Sequence, residues 1–326
     1  MNVAVLTGGV GGARFVRGLV DATDPAGITA IGNVGDDLEV LGLYVSPDLD
    51  SVLYALADLN DEERGWGRAG ETWNALETVD DLDGEAWFRL GDRDLGLHLV
   101  RTQALQAGTS LSDVTARLAR SLGVEASILP ATDDRLRTWI RTEDGELTFQ
   151  DWFVRRGHRE EVAGVRFEGA EAARPAPGVL QALEEADVIL FAPSNPFVSI
   201  GPILAVAEIR EALEARTVPA VAVSPLIGGR AIRGPADRML ARLGGGTAPA
   251  QVADCYKGLI DVLVFDEEDV DGAAGVEALG VRPVVTKTLM VDAAARRRLA
   301  ETALSAASET RVPAAATSGA RHSSRP

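Results

Sequence analysis

One cysteine, Cys255, stands in a chain of 326 residues. With no second thiol there is no intrachain disulfide, and the composition suits a reducing compartment. Cys255 lies in the helix-like stretch "QVADCYKGL", where a buried structural thiol is expected rather than a nucleophile. The 3 histidines show no metal-ligand spacing with one another or with the cysteine. Basic residues are outnumbered, 32 Lys and Arg against 49 Asp and Glu, for a formal net charge of −17. That balance argues against nucleic acid as a partner, because such binding rests on neutralising phosphates with Lys and Arg. No apolar run approaches the roughly 18 residues of a membrane span. The first residues read as a strand, not as a basic segment followed by an apolar signal core. A cytoplasmic protein is expected, with no membrane partner.

What is present is an ordinary globular composition, 46% hydrophobic and 25% charged, with enough apolar residues for a sizeable core. An acidic surface serves mainly solubility. It leaves room for a small anionic ligand, since local donors or a metal ion override the global field.

The chain opens with "VAVLTGGVGGARFV", a short apolar run, a glycine-rich loop and then Ala13, Val16, Leu19 and Val20 at helical spacing. The pattern is strand, loop, helix. "ITAIGNVGDD" at 28–37 repeats it with a second strand ending in a polar turn. Residues 48–122 are largely helical in composition; "SLSDVTARLARSLG" is the clearest helix, capped by Ser110 or Ser112 and stopped by Gly123. "RTWIRTEDGELTFQDWF" alternates around Asp144-Gly145, a hairpin signal, and "AGVRFEG" adds a strand. "DVILFAPSNP", "VPAVAVSP", "DVLVFDEED" and "RPVVTKTLM" supply four further strands, with "SIGPILAVAEIREALEA" read as one amphipathic helix. Strands alternating with helices predict an α/β fold, a Rossmann-like, mostly parallel sheet flanked by helices, with a smaller β-containing insert. The expected organisation is a first α/β half at 1–125, a β-rich insert at 126–178, a second α/β half at 179–308 and a disordered Ala/Ser/Pro-rich tail at 309–326.

In open α/β sheets, ligands bind beyond the carboxyl ends of the strands. Three such ends carry candidate chemistry. The first is Thr7-Gly8-Gly9-Val10-Gly11-Gly12. It lacks the Lys-Ser/Thr ending of a P-loop, and Arg14 stands where the dinucleotide fingerprint has its third glycine. NAD binding of that type is therefore disfavoured. The helix beginning near Ala13 still offers free N–H groups and a positive dipole end to an anion; a tight strand–helix connection is the plainer alternative. The second end holds Asp36 and Asp37. Two carboxylates beside ligand phosphates suit Mg²⁺, which takes few protein ligands; an adjacent acidic pair also suits a helix N-terminus. The third holds Ser194 and Asn195 between prolines, displaying donors and acceptors from a rigid turn.

Further along, Asp48 and Asp50 precede an apolar helix, where capping is the simpler role. Arg89, Asp92, Arg93 and Asp94 cluster in "RLGDRDLGLHL", a pattern shared with solvated charge clusters. His98, among leucines, reads as a core or partner-bonded histidine.

Taken in order, "TGGVGGARFVRGL", "NVGDD", "SPDLDSVLYALADL", "RLGDRDLGLHLVRT", "ILPATDDRLRTWI", "FQDWFV", "APSNPFVSIGPIL" and "VAVSPLIGGRAIRGPA" closely resemble the 2-phospho-L-lactate transferase family of coenzyme F-420 biosynthesis, in its actinobacterial branch. The resemblance runs to about residue 305. It implies a Rossmann-like homodimer that joins a guanylated three-carbon donor to the deazaflavin FO. That donor is lactyl- or enolpyruvyl-2-diphospho-5′-guanosine, made from phospholactate or phosphoenolpyruvate. The terminal ribityl hydroxyl of FO attacks phosphorus, GMP leaves, and (dehydro) coenzyme F-420-0 forms with the help of Mg²⁺. On that resemblance, Gly8, Gly9, Gly11 and Gly12 hold the donor phosphates. Asp36 and Asp37 bind the metal, and Ser194 and Asn195 contact the guanosine phosphate or ribose. Asp50 and Arg89 hold FO, and Asp48 or Asp50 takes the hydroxyl proton. A related family of non-catalytic UDP-sugar-binding regulators shares the glycine-rich start; "SPDLDSVLY" and "LGDRD" favour the transferase.

Overall fold

The computed structural model describes residues 1–310. Seven strands form one parallel sheet: β1 (Val3–Thr7), β2 (Ile28–Gly32), β3 (Ser127–Pro130), β4 (Val188–Phe191), β5 (Ala220–Val223), β6 (Val262–Asp266) and β7 (Arg282–Thr286). Their spatial order is β7-β6-β5-β4-β1-β2-β3, and every neighbouring pair is parallel. The chain winds outward from β1 in one direction, then returns to lay β4 on its other side. The sheet therefore switches direction between β1 and β4, where a doubly wound fold opens its ligand crevice.

The strand sequences explain their positions. β1, β4, β5 and β6 are continuous apolar runs, fully buried along their length, as expected when helices cover both faces of a parallel sheet. Leu190, fully buried in β4, shows the scale involved: truncation to Ala would cost about 2–5 kcal/mol. The edge strands are different. β3 ends in Pro130 and β7 contains Pro283, and a residue without an N–H is tolerated at a sheet edge.

α1 (Gly9–Ala22) follows β1 and buries Phe15, Val16 and Leu19 against the sheet. α2 (Pro47–Leu56) carries Asp48 and Asp50 in its first turn. α3 (Asp92–Gln106) and helix Leu111–Ser121 complete this half. Ser110 caps the latter by accepting from the Asp113 N–H, whereas Ser112 bonds Asp133. α4 (Ala293–Ser308) returns to pack on α1, so closely that a Cβ at Gly18 would meet the Arg296 carbonyl at 2.4 Å.

Three departures from the expected organisation stand out. Ser127–Pro130 pairs with β2 in the main sheet, so the β-rich insert starts after Pro130 and not at 126. Within it, Arg137–Thr142 pairs with Gly145–Thr148 and with Gly164–Glu168. The hairpin loop is Glu143–Asp144, because Gly145 already pairs with Thr142. The long helix expected over 199–215 is broken into a π-helical turn at Pro196–Ile200, a short helix at Gly201–Leu204 and a second at Ala207–Glu214. Pro202 occupies the start of the middle piece and Val206 adopts extended backbone. The tail expected at 309–326 lies, from residue 311, outside the described residues.

The insert is tied to the rest by a second apolar cluster of Ile140, Phe149, Trp152 and Val162 with Val198 and Met239. It thus stands over the carboxyl ends of the strands. Cys255 ends helix Pro249–Cys255, and burial pushes its thiol up to about 11. That leaves no thiolate at neutral pH, as expected of a structural cysteine.

Candidate active site

The loops after β1, β2 and β4 share one rim, since these strands are adjacent and parallel. Ser194 joins two of them. Its hydroxyl donates to the Gly8 carbonyl at 2.7 Å and accepts from the Gly8 N–H at 3.3 Å. Asn195 caps the following turn, its side-chain oxygen accepting from Phe197 N and Val198 N. Its amide nitrogen reaches only the Met239 sulfur, at 3.3 Å. Both residues therefore build the loop; of the two, only the Asn195 amide has a weak partner that a ligand could replace.

The glycines have separate reasons. A Cβ at Gly8 would lie 2.6 Å from Asp48 Oδ2, and one at Gly12 would lie 2.3 Å from Thr7 Oγ1. A Cβ at Gly11 would press on the Pro193 carbonyl at 2.9 Å. A Cβ at Gly9 would only touch Ser199 Oγ at an ordinary 3.9 Å, but its φ of +68° suits glycine. Close packing of the rim thus explains three of the four. Past Gly9, whose backbone N–H already meets the Asp48 carboxylate, lies the N-terminus of α1. Its first N–H groups have no intrahelical acceptors, which is the physical basis of anion binding there.

Asn33, at the end of β2, is the hub of the site. It is wholly buried. Its amide nitrogen donates to Asp36 Oδ1 at 2.6 Å, to Asp48 Oδ2 at 2.9 Å and to the Val198 carbonyl at 3.2 Å. Its oxygen accepts from the Gly35 N–H at 2.7 Å. One side chain thereby gathers a carboxylate from the β2 loop, one from α2 and the backbone of the turn after β4. Asp37 lies alongside, one oxygen accepting from Tyr44 at 2.9 Å and Ser46 at 2.8 Å. Its other oxygen, Oδ1, is buried without a partner.

Crowding these acids raises their proton affinity. Burial pushes Asp37 up to about 7, with the Ser46 hydroxyl, the Arg137 charge and Tyr44 pulling the other way. Burial pushes Asp48 up to about 6; hydrogen bonds from Asn33 and the Gly9 backbone oppose it and the Asp50 charge adds to it. Asp36 is held well above the carboxylate range by burial, then by repulsion from Asp48 and Asp37. A cation would relieve all three. Among the described residues no three His, Cys, Asp or Glu side chains are grouped so as to cage an ion alone. The donor set, hard oxygens with Asp37 Oδ1 orphaned, fits Mg²⁺ better than a metal that needs a full protein cage.

Asp50 is placed differently. Arg101, 1% exposed, binds both of its oxygens, Nη1 to Oδ2 at 2.9 Å and Nη2 to Oδ1. Both of its oxygens are gripped by one buried guanidinium, whereas Asp48 is held by Asn33 and the Gly9 backbone. Arg89 is not joined to the carboxylates; its guanidinium lies 4.7 Å over the Trp73 ring. Arg64 is shared between the same ring and Trp66, at 5.0 and 4.8 Å. Trp66 reaches a cleft lined also by Val10, Arg14, Ser51, Tyr54 and Asn60. This cleft runs from the start of α1 along α2, and is bounded by aromatic and cationic groups. The reading from sequence did not pick out Asn33, Arg101, Tyr44 or the two tryptophans as site residues.

The sequence profile of the family described as 2-phospho-L-lactate transferase CofD matches residues 3–301. The chain belongs to the CofD family. A Kitasatospora aureofaciens protein named phosphoenolpyruvate transferase is 46% identical over 95% of this chain and 99% of its own length. A Streptomyces coelicolor protein of the same name is 47% identical, with 95% and 99% covered. A Methanosarcina acetivorans 2-phospho-L-lactate transferase is 38% identical, with 91% and 96% covered. A solved structure of a Bacillus halodurans protein of the upf0052 family matches with a TM-score of 0.63 at 22% identity, covering 93% of this chain and 99% of that one; it shows the shared fold. Membership in CofD makes the chain a transferase. No helix among the described residues is long and apolar enough to cross a membrane.

Proposed function

We propose that the chain joins enolpyruvyl- or lactyl-2-diphospho-5′-guanosine to the ribityl hydroxyl of FO, releasing GMP and forming (dehydro) coenzyme F-420-0. The names of the bacterial relatives, phosphoenolpyruvate transferase, favour the enolpyruvyl donor. The observation that carries the reading is the pair Asp36 and Asp48, held together by Asn33 beside the N-terminus of α1 at the sheet's switch point, with Asp37 next to Asp36 and bonded to Ser46. A buried acidic cluster next to an anion-binding helix end is suited to a metal–diphosphate and poorly suited to a neutral ligand.

The donor diphosphate lies against the free N–H groups past Gly9. Asp36 and Asp37 are the residues that would hold Mg²⁺, which would supply charge neutralisation to the diphosphate. Asp48, with its affinity for a proton raised to about 6, sits where it can take the hydroxyl proton as the oxygen–phosphorus bond forms and the bond to GMP breaks. Phosphoryl transfer gains chiefly from positioning and charge neutralisation, so that proton transfer is a smaller contribution. FO occupies the cleft between α1 and α2, its flat ring system against the Trp66 and Trp73 side, with Arg89 above Trp73.

The test is direct. The purified protein is incubated with FO, each donor and Mg²⁺, and the product is weighed by mass spectrometry. Dehydro and saturated products differ by two hydrogens. Tight UDP-sugar binding without FO binding or transfer would overturn the reading. Asp37→Asn with wild-type turnover and unchanged Mg²⁺ dependence would remove Asp37 from the metal site.

A further inference from the structure

We propose that Arg101 is a positioning residue of the transfer reaction, acting through Asp50 to hold the α2 turn that carries Asp48. The inference rests on the reading that transfer occurs at this site.

Arg101 is almost completely buried. A guanidinium out of water is costly unless acceptors surround it. Here the acceptors are few: both Asp50 oxygens and the His98 ring. Its Nε is buried without a partner. Were packing the only role, the Arg101–Asp50 pair together would be replaceable by apolar side chains at little cost. What the arginine supplies and an apolar side chain cannot is a planar two-point grip on one carboxylate.

The grip is itself held. Arg101 Nη1 is 3.2 Å from His98 Nδ1. An arginine nitrogen only donates, so Nδ1 accepts. Nε2 lies 3.2 Å from Asp94 Oδ1 without making a hydrogen bond, and that oxygen accepts from the Tyr54 hydroxyl. The resulting chain is Tyr54, Asp94, His98, Arg101, Asp50. Its members are one turn apart on α2, at 50 and 54, and on one face of α3, at 94, 98 and 101. It starts at the acceptor cleft, which Tyr54 lines, and ends two residues from Asp48. It therefore fixes α2 in rotation, and with it the Asp48 carboxylate that Asn33 holds at 2.9 Å.

The charges around the pair have one sign, with one exception. Asp50 and Tyr54 on α2, Asp37 after β2, and Asp94 and His98 on α3 face Arg101; Asp36 and Asp48 lie just beyond. Among the described residues, Arg137 of the insert is the other cation whose charge acts on both Asp36 and Asp37. Removing Arg101 would leave Asp50 buried without its counter-charge and raise the proton affinity of its acidic neighbours.

The test is a double-mutant cycle on Arg101 and Asp50, with pH profiles and thermal midpoints for every variant. Arg101→Gln is expected to lower kcat at least 30-fold and to move the acid limb of kcat/KM to higher pH. Arg101→Lys should restore the limb, because it keeps the charge, and only part of kcat, because it lacks the fork. Asp50→Asn added to Arg101→Gln should cost little more than either change alone. If wild type transfers but the variants keep its acid limb, or the two substitutions multiply, Arg101 does not act through Asp50. If Arg101→Gln does not fold, Arg101→Lys and Asp50→Asn carry the comparison: a shared fall in kcat with folded protein supports the role, and unchanged kcat in both overturns it. A wild-type protein that transfers nothing instead overturns the functional reading itself.

Discussion

Ser194 and Gly8, 186 residues apart, exchange two hydrogen bonds through one hydroxyl. The loop after β4 and the loop after β1 are thereby one structural unit, and the N-terminus of α1 is aimed by both halves of the fold. Ser194→Ala breaks both bonds and leaves the Gly8 N–H and carbonyl buried. The expected loss of stability is about 1–3 kcal/mol. KM for the guanylated donor should rise several-fold while KM for FO stays near wild type, measured by steady-state kinetics with each substrate varied in turn. The reverse pattern would place the diphosphate away from this loop.

Asn33 holds two acids that repel each other. Asn33→Ala removes the shared donor, whereas Asn33→Asp keeps the shape and adds a further negative charge. The aspartate variant is therefore expected to be the worse of the two at pH 8, by about tenfold in kcat/KM, since an added like charge at hydrogen-bonding distance costs a kcal/mol or more. The gap should narrow toward pH 5.5 as carboxyls take up protons. Equal activities at both values would show that Asn33 acts through shape alone.

Much of this architecture is legible in the residues. "VAVLT", "VILF", "AVAV" and "VLVFD" read as strands because both faces are buried, and the polar turns that follow them mark the rim. Asp36 and Asp37 stand out as acids after β2, and Asp48 as one at the start of α2. The glycine loop is only half readable: a run of glycines does not reveal that Gly8 and Gly12 make room for Asp48 and Thr7 rather than for a ligand. Nor does local pattern show that Asn33 meets the Val198 carbonyl, 165 positions on, or that Arg101 grips Asp50, 51 positions back. Such pairings arise only once the sheet is wound. The unbroken helix expected over 199–215 failed for a related reason: the apolar period continues through Pro202 while the backbone does not.

The raised carboxyls make an unusual pH dependence of stability. Asp48 at about 6 and Asp37 at about 7 compare with about 3.9 in the unfolded chain. Below that unfolded value both states hold the protons and no penalty exists. As pH rises through the window from about 4 to 7, the unfolded state releases its protons first, and the native state loses relative stability. At about 1.4 kcal/mol per unit the two groups together would be worth on the order of 7 kcal/mol at most. His158, whose proton affinity burial lowers, opposes them weakly. Asp92, held at about 2 by Thr72, Ala75 and Asn74, acts only below this window. Protein without Mg²⁺ should therefore melt at higher temperature at pH 5.5 than at pH 8. Asp37→Asn should flatten the profile, and Mg²⁺ should stabilise more at pH 8. Calorimetry showing a midpoint that simply falls from pH 8 to 5.5 would exclude this account.

Arg233 clasps the segment that carries Trp66. Its guanidinium donates to the Gly65 carbonyl at 2.8 Å and to the Arg64 carbonyl at 3.3 Å, joining the loop beyond β5 to the wall of the acceptor cleft. Gly65 has φ of +79°, and a Cβ there would fall 1.7 Å from Arg233 Nη1. Gly65→Ala is thus strained in its backbone and drives off the clasp, whereas Arg233→Ala removes the clasp and leaves the backbone at ease. Both should raise the dissociation constant for FO, read from deazaflavin fluorescence, with little effect on guanosine nucleotide binding. The alanine at Gly65 should also cost stability of about 1 kcal/mol or more from its positive φ. If the clasp is what shapes the cleft, the two substitutions combined should weaken FO binding no more than Gly65→Ala alone. Additive losses would mean that Arg233 and Gly65 serve the acceptor separately.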